Sequence, residues 1–302
     1  MYETFYGLQE RPFDLSPNPR FLCFTPQHRE ALAHLEYGLA GRPGITVLVG
    51  DAGTGKTTLI RKALQAMKGD STIVHVSNPT LTRAEFYEFL VFGFGFSPSA
   101  EQSKIRFLWE LDDHLDDDTK PRLALVVDEA QSVPYELLEE IRLLTNAEGK
   151  TGLSIAVALV GQPELARRLE ETRLRQLKQR VALRCELTPL TLKDTAAYIS
   201  ARVKTAGGHA VQLFTRDAVI AIHQHSKGIP RVISVICDNA LVSGFAADQR
   251  PVGASIVSEV CRSLVLPFDE PQMAPVSHAV SPKHPVAVAA VQGDGRRRFS
   301  FF

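Results

Sequence analysis

The sequence predicts an α/β protein in which a five-stranded parallel sheet is covered by helices on both faces. Five apolar runs rich in β-branched residues predict the strands, which span 45–49, 72–76, 123–127, 154–160 and 182–186. Segments typical of helices lie between them, at 56–68, 82–94, 103–116, 134–147 and 163–179. Because strand and helix alternate along the chain, we expect a doubly wound parallel sheet.

The strand signals stop after Pro189, and the rest of the chain divides into two parts of different composition. Helical runs separated by Gly or Pro begin near 192, 215, 230 and 253, which predicts a small helical domain over 191–265 after a sheet domain over 1–190. Residues 266–302 are rich in Pro, Ala, Val and Ser, which predicts a disordered tail. The tail ends in three arginines and three phenylalanines, a combination suited to docking on a membrane or partner, or else to a free terminus.

Composition and charge narrow the class of protein. With 302 residues, of which 44% are hydrophobic, the chain can bury a sizeable core. Its 34 Lys and Arg residues balance 34 Asp and Glu residues, so there is no overall positive field that would attract nucleic acid or an anionic membrane. The sequence has neither a signal peptide nor a run of about 18 apolar residues. We therefore expect a cytoplasmic protein, at most in peripheral contact with the inner membrane.

The cysteines are scattered along the chain and form no CxxC pair. This spacing argues against a zinc site and against a disulfide framework. We expect them to be small core residues; they are Cys23, Cys185, Cys237 and Cys261.

The segment GDAGTGKTT joins the first predicted strand to the following helix. It matches the pattern Gly-x-x-x-x-Gly-Lys-Thr at Gly50, Gly55, Lys56 and Thr57, in the strand-loop-helix context of a phosphate-binding loop. Glycine lets the backbone turn its N–H groups toward phosphate oxygens, and the start of the helix adds further N–H groups. Lys56 would reach the β- and γ-phosphates, and the Thr57 hydroxyl would bind Mg²⁺. The alternative is a glycine-rich turn with a solvated lysine.

A loop of this kind predicts a site for ATP and Mg²⁺, which needs a carboxylate on a neighbouring strand. The segment RLALVVDEAQ provides a buried strand that ends in Asp128 and Glu129. We expect Asp128 to hold the Mg²⁺ shell and Glu129 to orient the attacking water, which favours hydrolysis over binding alone; the alternative is that both acids cap the following helix. The candidate ATP-binding residues of the loop are Gly50, Asp51, Ala52, Gly53, Thr54, Gly55, Lys56, Thr57 and Thr58.

Seven segments, taken in order, resemble the ExeA/GspA-type AAA+ ATPases. They are FYGLQERPFDLSPNPRFL, HREALAHLEYGL, GDAGTGKTT, VVDEAQ, LVGQPEL, LKQRVALRCELTPL and GIPRVISVICDNAL, within residues 1 to 264. The resemblance implies a P-loop NTPase core of the AAA+ type with a helical lid, hydrolysis of ATP to ADP and phosphate, and a homo-oligomer with shared active sites. It also implies a client in a secretion, exopolysaccharide or envelope-assembly system.

The resemblance assigns further site residues. Asn78 matches a polar residue that can hold the catalytic glutamate in an inactive pose, and an ordinary turn before a proline is the alternative. Gln162 follows the fourth strand, where the family has a sensor for the γ-phosphate and water, or else it caps the next helix. Arg180 precedes the fifth strand at the position of the arginine finger that reaches a neighbouring subunit, and Arg173 and Arg175 compete for that role.

Two more assignments concern the lid and the adenine side of the site. Arg231, in GIPR at the start of a helix, matches the lid residue that senses bound nucleotide. An arginine at a helix N-terminus is otherwise unfavourable because it opposes the helix dipole. The segment RPF matches a part of the family that passes near the adenine, so Pro12 and Phe13 are candidates for contact with it. For Phe13, ordinary core packing is the alternative.

Three hypotheses for the function follow. The first is an oligomeric, Mg²⁺-dependent ATPase that energises or regulates a secretion, exopolysaccharide or envelope-assembly system. The second is a DNA-binding, transposition-type AAA+ regulator, against which the balanced charge and the lack of a dense Lys/Arg stripe argue. The third is a slow, nucleotide-gated scaffold that presents its tail to a membrane partner.

Overall fold

A five-stranded parallel sheet lies at the centre of the structure, as predicted. The computed structural model describes residues 1–15, 19–21, 25–40, 44–67, 69, 71–150 and 152–264. The predicted strand at 154–160 begins later than expected, because Ser154 forms only an isolated antiparallel bridge with Glu148. The strands are β1 (Ile45–Gly50), β2 (Ser71–Val76), β3 (Arg122–Val127), β4 (Ala156–Gly161) and β5 (Val181–Leu187), in the order β2-β3-β4-β1-β5.

Helices connect the strands and cover both faces of the sheet. Before β1 lie α1 (Tyr2–Tyr6) and α2 (Pro26–Leu39), to which the sequence analysis assigned no helix. Between the strands lie α3 (Lys56–Ala66), α4 (Arg83–Phe94), α5 (Pro98–Glu101), α6 (Lys104–Leu115), α7 (Tyr135–Leu144), α8 (Pro163–Leu169) and α9 (Arg175–Lys178). After β5 follow α10 (Leu192–Thr205), α11 (Ala210–Leu213), α12 (Arg216–Ser226), α13 (Pro230–Ala246) and α14 (Ala254–Ser263). The helical runs predicted after Pro189 are therefore confirmed.

The single helix predicted at 163–179 is wrong. The chain forms α8, then a 3₁₀ turn at Thr172–Leu174, and then α9. Leu169, Leu174 and Leu177 are all buried. On one straight helix Leu174 would point about 140° away from Leu169, because successive residues rotate by about 100°. The break at Glu171, where the backbone is extended, lets all three leucines pack into the core.

Strands β1 and β4 are buried along their whole length, and β3 is buried from its second residue on, whereas the edge strand β5 leaves Ala182, Arg184 and Glu186 exposed. Since successive strand residues point to opposite sides, the central strands are buried on both faces. On one face Ile45, Val47 and Val49 of β1 belong to a cluster that includes residues of α4, α6, α7 and α8. On the other face Leu48 packs in a second cluster with residues of α2 and α3. This packing fixes β1, and with it the start of the loop that follows β1.

The helices after β5 pack on one another and on the N-terminus. α13 contacts α12 and α14, and α10 contacts α12. Tyr2 of α1 donates a hydrogen bond to Oδ1 of Asp238 at 2.5 Å, and Tyr6 donates to the carbonyl of Gln249 at 3.2 Å. The first 265 residues form one compact unit.

Three of the four cysteines, Cys185, Cys237 and Cys261, are buried and form no disulfide with another described residue, as predicted. Cys23 and the tail at 266–302 lie outside the described residues. Within the described part of the chain, no helix is both long enough and apolar enough to cross a membrane.

A charged cluster joins α4, α6 and α7. Glu140 on α7 is buried, and its carboxylate accepts hydrogen bonds from Tyr87 and Lys104, each at 2.6 Å, and lies 2.7 Å from Arg83. Burial would raise the pKa of Glu140, but the hydrogen bonds from Lys104 and Tyr87 outweigh it and hold the pKa below its usual value. A buried carboxylate with donors on both oxygens is stable as an anion, so this cluster stabilises the packing of the three helices.

We expect Glu140→Gln to lower the free energy of unfolding by about 1.5–3 kcal/mol, the range for hydrogen bonds to charged groups. Because the folded-state pKa of Glu140 is lowered, its stabilisation is present above the unfolded pKa near 4.5 and is lost as the pH falls through the folded-state value. The loss caused by the substitution should therefore shrink in acid. Urea unfolding at about pH 7 and about pH 3 measures both effects.

The control is Glu139→Gln on the same helix. Glu139 is exposed and pairs with Arg142 one turn away, where an ion pair contributes about 0.5 kcal/mol or less. Equal losses of stability in the two variants would show that the Glu140 cluster contributes no more than a surface pair.

Candidate nucleotide and metal site

The glycine-rich loop lies at the carboxyl end of β1 and leads into the first turn of α3. Lys56 begins α3 and is buried, with 5% of its surface exposed. Its Nζ donates hydrogen bonds to the carbonyls of Gly50 at 2.8 Å and Asp51 at 3.1 Å. Burial lowers the pKa of Lys56, and the carboxylates of Glu129 and Asp128 oppose that shift. The ammonium group therefore closes the loop from within, beside two acidic side chains.

Gly53 lies where the loop meets the first turn of α13. Its φ of 83° is in the left-handed region, and a Cβ there would lie 2.7 Å from Cβ of Arg231 and 3.2 Å from Cγ2 of Ile229. The backbone N–H of Arg231 donates to the Gly53 carbonyl at 3.1 Å. Glycine is therefore required here by backbone geometry and by close approach, and α13 contacts the loop directly.

Two oxygen-bearing side chains meet at the metal position predicted from the sequence. Thr57 Oγ1 donates a hydrogen bond to Oδ2 of Asp128 at 3.1 Å, and Asp128 is buried just after β3. The other carboxylate oxygen, Oδ1, accepts the N–H of Glu129 at 2.9 Å. Hydroxyl and carboxylate oxygens are hard ligands of the kind that Mg²⁺ takes, so this donor set fits the ion.

Glu129 is held by two amide side chains. Its Oε2 accepts hydrogen bonds from Nε2 of Gln131 at 2.6 Å and from Nε2 of Gln162 at 3.2 Å, and Oε1 of Gln131 accepts the N–H of Gln162 at 3.0 Å. Partial burial would raise the pKa of Glu129, but the two amides and the charge of Lys56 outweigh it, so the pKa is lowered and the side chain is an anion at neutral pH. Among the described residues no donor contacts Oε1, so this oxygen is available to accept a hydrogen bond from water.

The backbone at Glu129 is also unusual. Its φ of 51° lies in the left-handed region, which residues other than glycine seldom adopt. Such conformations cost about 1–3 kcal/mol and cluster at functional sites. The conformation turns the chain from β3 into the 3₁₀ turn at Ala130–Ser132, which carries Gln131. Sequence analysis missed Gln131 although it lies in the segment VVDEAQ, because its contact with Glu129 depends on this turn.

Asn78 lies after β2 and is exposed. Its Oδ1 accepts the N–H of Thr80 at 3.4 Å, as in a turn before a proline. Within the described part of the chain it makes no hydrogen bond to Glu129, whose amide partners are Gln131 and Gln162.

Arg180 lies at the opposite edge of the sheet from the loop. It directly precedes β5, and its carbonyl accepts the N–H of Ile45, the first residue of β1, at 2.8 Å. Since a strand rises about 3.3 Å per residue, Ile45 and Gly50 are separated by about 17 Å. The Arg180 guanidinium is exposed and donates to the side chain of Asn146. Arg180 is therefore remote from the loop of its own chain.

The other two arginines of this region differ in their surroundings. Arg173 stacks on Tyr135, with its Cζ 3.5 Å from the ring centre. Arg175 begins α9 and is exposed, and its side chain has no hydrogen bond or ion pair with any other described residue. Tyr135 thus holds Arg173 within its own chain, whereas Arg175 is available to a neighbour.

A cavity of about 470 Å³ adjoins the loop, within the size range of about 300–1,000 Å³ that is typical of small-molecule sites. One wall is formed by residues 52–58 of the loop and the start of α3, so Ala52, Thr54, Gly55 and Thr58 all line it. Arg231 and Glu129 also reach it. The remaining wall contains aliphatic, aromatic and polar side chains that could contact a base and ribose, among them Leu15, Phe21, Tyr198, Arg202 and Ser234.

Pro12 and Phe13 lie behind this wall. Phe13 is 1% exposed and packs edge to face on Phe214, with ring centres 6.1 Å apart. The following residues, Asp14 and Leu15, line the cavity. Phe13 is therefore packed in the core, which is the alternative to contact with the adenine. The backbone carbonyl of Pro12 accepts a hydrogen bond from Arg202.

Arg202 on α10 ties this N-terminal segment to the cavity wall. Its guanidinium donates hydrogen bonds to the carbonyls of Pro12 and of Asp14, the latter at 3.0 Å, and to Tyr198 Oη at 2.8 Å. Its Cζ also lies 5.1 Å from the centre of the Phe21 ring. Sequence analysis missed Arg202 because Pro12 is 190 positions away along the chain.

His28 on α2 is hydrogen-bonded to the loop. Its Nε2 donates to the carbonyl of Thr54 at 3.1 Å, and because a carbonyl can only accept, the proton lies on Nε2. Its Nδ1 then accepts the hydroxyl of Thr25, 2.6 Å away. Burial lowers the pKa of His28, which favours this neutral form. This contact could not be predicted from the sequence, because it joins α2, which precedes β1, to the loop that follows β1.

We expect Arg202→Met to release the N-terminal segment. Each lost hydrogen bond to a charged group is worth about 1.5–3 kcal/mol, so amide hydrogen exchange at residues 11–15 should become at least about tenfold faster. Mass-spectrometric hydrogen exchange on the full chain measures this. The control is Arg250→Met, which removes hydrogen bonds to the carbonyl of Phe5 and to Gln212 and should leave residues 11–15 unchanged. Unchanged exchange in Arg202→Met would show that the segment is held by apolar packing instead.

Comparison with known proteins identifies the class that this fold and site define. The family described as "AAA domain" matches residues 40–169, which contain the loop, Asp128, Glu129 and Gln162. Residues 40–169 of this chain are thus similar to an AAA domain, and the predicted P-loop NTPase fold of the AAA+ type is confirmed.

A curated relative makes the placement more specific. The chain is 42% identical over 256 residues to general secretion pathway protein A of Aeromonas hydrophila, across 83% of this chain and 46% of that protein. The resemblance to ExeA/GspA-type proteins is therefore confirmed. The chain spans about half the length of this relative.

Solved structures share the fold. The ORC2 protein of Aeropyrum pernix, in ADPNP-ADP complexes, aligns with a TM-score of 0.61 and 16% identity over 84% of this chain and 72% of that chain. CDC6P from Pyrobaculum aerophilum aligns with a TM-score of 0.59 and 18% identity over 80% and 67% of the two chains. Drosophila ORC bound to DNA aligns with a TM-score of 0.58 and 20% identity over 82% and 63%. At these identities the similarity concerns the fold alone.

Proposed function

We propose that this protein is a Mg²⁺-dependent ATPase that energises or regulates a secretion, exopolysaccharide or envelope-assembly system. The observation that carries the proposal is Glu129, an anion held on one oxygen by two amides beside the Thr57–Asp128 pair and Lys56. A site that only binds nucleotide needs the loop and the metal ligands, whereas a carboxylate positioned in this way serves to orient and polarise water. The kinship with general secretion pathway protein A supports the choice of system.

Each residue of the candidate site has its own role in the proposed reaction. Lys56 exchanges its hydrogen bonds with the carbonyls of Gly50 and Asp51 for bonds with phosphate oxygens, and the loop N–H groups hold the same phosphates. Thr57 and Asp128 would hold Mg²⁺, which when bound would neutralise charge on the phosphates. Oε1 of Glu129 accepts a hydrogen bond from the attacking water.

The cavity beyond the loop is the proposed site for the adenine and ribose of ATP or ADP. Phe21 and Tyr198 offer aromatic surface, and Ser234 offers a hydroxyl group. We propose that residues 191–265 act as a lid, because the backbone of Arg231 is hydrogen-bonded to Gly53 of the loop. A change in the loop on nucleotide binding would then move α13, and the Arg231 side chain would sense the phosphates.

A homo-oligomer with shared sites is part of the proposal. Arg180 lies at the edge of the sheet remote from its own loop, so it contributes to hydrolysis only if a neighbouring subunit brings another loop to it. Arg175 is the second candidate, because its exposed side chain has no partner in the described part of its own chain. Arg173 is the third, and it would first have to leave the ring of Tyr135.

The supply of ATP places the proposed reaction in the cytoplasm. Peripheral contact with the inner membrane through the tail at 266–302 stays a prediction. The Drosophila ORC structure is a complex with DNA. Similarity in fold to that protein is not evidence that this chain binds DNA. The balance of 34 basic and 34 acidic residues argues against a DNA-binding role.

We expect Glu129→Gln to bind ATP with nearly unchanged affinity and to lose at least about 100-fold in turnover, because the substitution keeps the shape of the side chain but removes the base. Lys56→Ala should instead weaken binding itself. Titration with a fluorescent ATP analogue and steady-state phosphate release separate the two effects. Glu164→Gln is the control, since its carboxylate also acts on Lys56 but pairs with Arg167 on the exposed face of α8. Unchanged turnover in Glu129→Gln would overturn the catalytic assignment.

We expect Arg180→Ala to abolish a rise of specific activity with protein concentration while leaving ATP affinity nearly intact. Arginine fingers supplied by a partner are worth about 10³–10⁵ in rate, so even a small part of that effect is measurable. Mixing inactive Lys56→Ala protein with inactive Arg180→Ala protein should restore activity, because some interfaces then unite an intact loop with an intact arginine. Arg175→Ala, tested in the same mixture, shows which arginine acts. Flat specific activity together with no rescue would mean that Arg180 does not act on a neighbouring subunit.

A further inference from the structure

A second cavity, of about 490 Å³, lies beside α4 and α5 and outside the nucleotide site. Its surface is largely apolar, and two of its aromatic side chains face solvent: Phe92 is 89% exposed and Phe89 is 43% exposed. We call it the α4 groove, and its apolar lining residues are Leu81, Phe89, Val91, Phe92, Phe96 and Pro98. Exposed aromatic side chains gathered around a concave surface mark a site of interaction with another molecule.

The rim of the α4 groove is acidic. Arg83 and Lys104, two basic residues next to this region in sequence, both pair with the buried carboxylate of Glu140, and a third, Arg106, donates a hydrogen bond to Gln102. Two of the three rim glutamates, Glu88 and Glu101, form no ion pair with any described residue, and the third belongs to the N-terminal cap of α4. All three are exposed: Glu85, Glu88 and Glu101.

We propose that the α4 groove is a docking site for an amphipathic helix of a partner protein, one that carries lysine or arginine beside its apolar residues. A helix laid in a groove presents apolar side chains one turn apart, which Phe89, Phe92 and Phe96 can contact. The rim glutamates then pair with the flanking cations, and the exposed rim adds specificity and salt dependence. The same charges repel the phosphates of nucleic acid and of an anionic membrane. The site is separate from the nucleotide cavity, so the inference does not rest on the proposed ATPase activity.

The test uses a fluorescein-labelled synthetic helix of about 14 residues built from leucine and lysine, matched to a second peptide with glutamate in place of every lysine. Fluorescence anisotropy with the full chain should show binding of the lysine peptide and weak or no binding of the glutamate peptide. Phe92→Ala should weaken binding of the lysine peptide at least about tenfold, the effect of truncating an aromatic anchor. Equal binding of the two peptides would overturn the proposal.

Matched variants locate the binding. Trp109→Ala is the aromatic control, because Trp109 is 68% exposed on α6 and does not line the groove. The double variant Glu88→Gln with Glu101→Gln should weaken binding and flatten its salt dependence. Its control is Glu136→Gln with Glu259→Gln, which removes two exposed carboxylates elsewhere. Because the double variant leaves every apolar side chain in place, it tests the groove even if Phe92→Ala fails to fold.

Two further outcomes contradict the proposal. If Phe92→Ala and Trp109→Ala weaken the lysine peptide equally, or neither does, the peptide binds elsewhere. If light scattering shows oligomers of the chain that Phe92→Ala dissociates while the lysine peptide does not bind, the groove is an interface between copies of this chain.

Discussion

The parallel alignment of β1, β3 and β4 is the constraint on which the candidate site depends. Because the three strands run in one direction side by side, the residues after their carboxyl ends meet at one edge of the sheet. The register pairs Val127 with Leu159 and Val49 with Gly161, so β3 ends before β1 does. Asp128 therefore lies further from the carboxyl edge of the sheet than the loop does. Its side chain bridges this offset by accepting a hydrogen bond from Thr57 in the first turn of α3. The proposed metal position therefore follows from the stagger between β1 and β3, which are equal in length.

The parts of this arrangement that could be predicted from the sequence are those with local signals. Apolar runs identified the strands, and the continuous segments GDAGTGKTT and VVDEAQ identified the loop and the acids. His28 and Arg202 could not be found in this way, because each acquires its role from a residue distant in sequence, Thr54 and Pro12 respectively. The break between α8 and α9 has the same origin, since it is decided by burial of leucines in the core and not by helix propensity.

Three helices, α2, α10 and α13, donate hydrogen bonds to backbone carbonyls of the loop and of the N-terminal segment beside the cavity. The loop offers the carbonyl of Gly53 to α13 and that of Thr54 to His28, and the N-terminal segment offers the carbonyl of Asp14 to Arg202. Backbone acceptors do not depend on the identity of the side chain that carries them. Substitution of His28 would therefore remove the side-chain hydrogen bond between α2 and the loop, and substitution of Arg202 would remove those between α10 and the N-terminal segment. The hydrogen bond from α13 is donated by the backbone N–H of Arg231, so it does not depend on that side chain.

Two of the buried charged groups, Glu140 and Lys56, differ in how completely their charges are compensated by neighbouring groups. This difference distinguishes a structural role from a binding role. The carboxylate of Glu140 has donors on both oxygens, and these outweigh burial, so it gains little from any further ligand. Lys56 is as deeply buried, yet its hydrogen bonds go to neutral carbonyls, and burial lowers its pKa in spite of the nearby carboxylates. A buried cation compensated in this way stabilises an incoming anion more strongly than a paired cation can. The incomplete pairing of Lys56 thus supports the proposal that phosphate binds at this loop, whereas the carboxylate of Glu140, which is completely paired, joins helices.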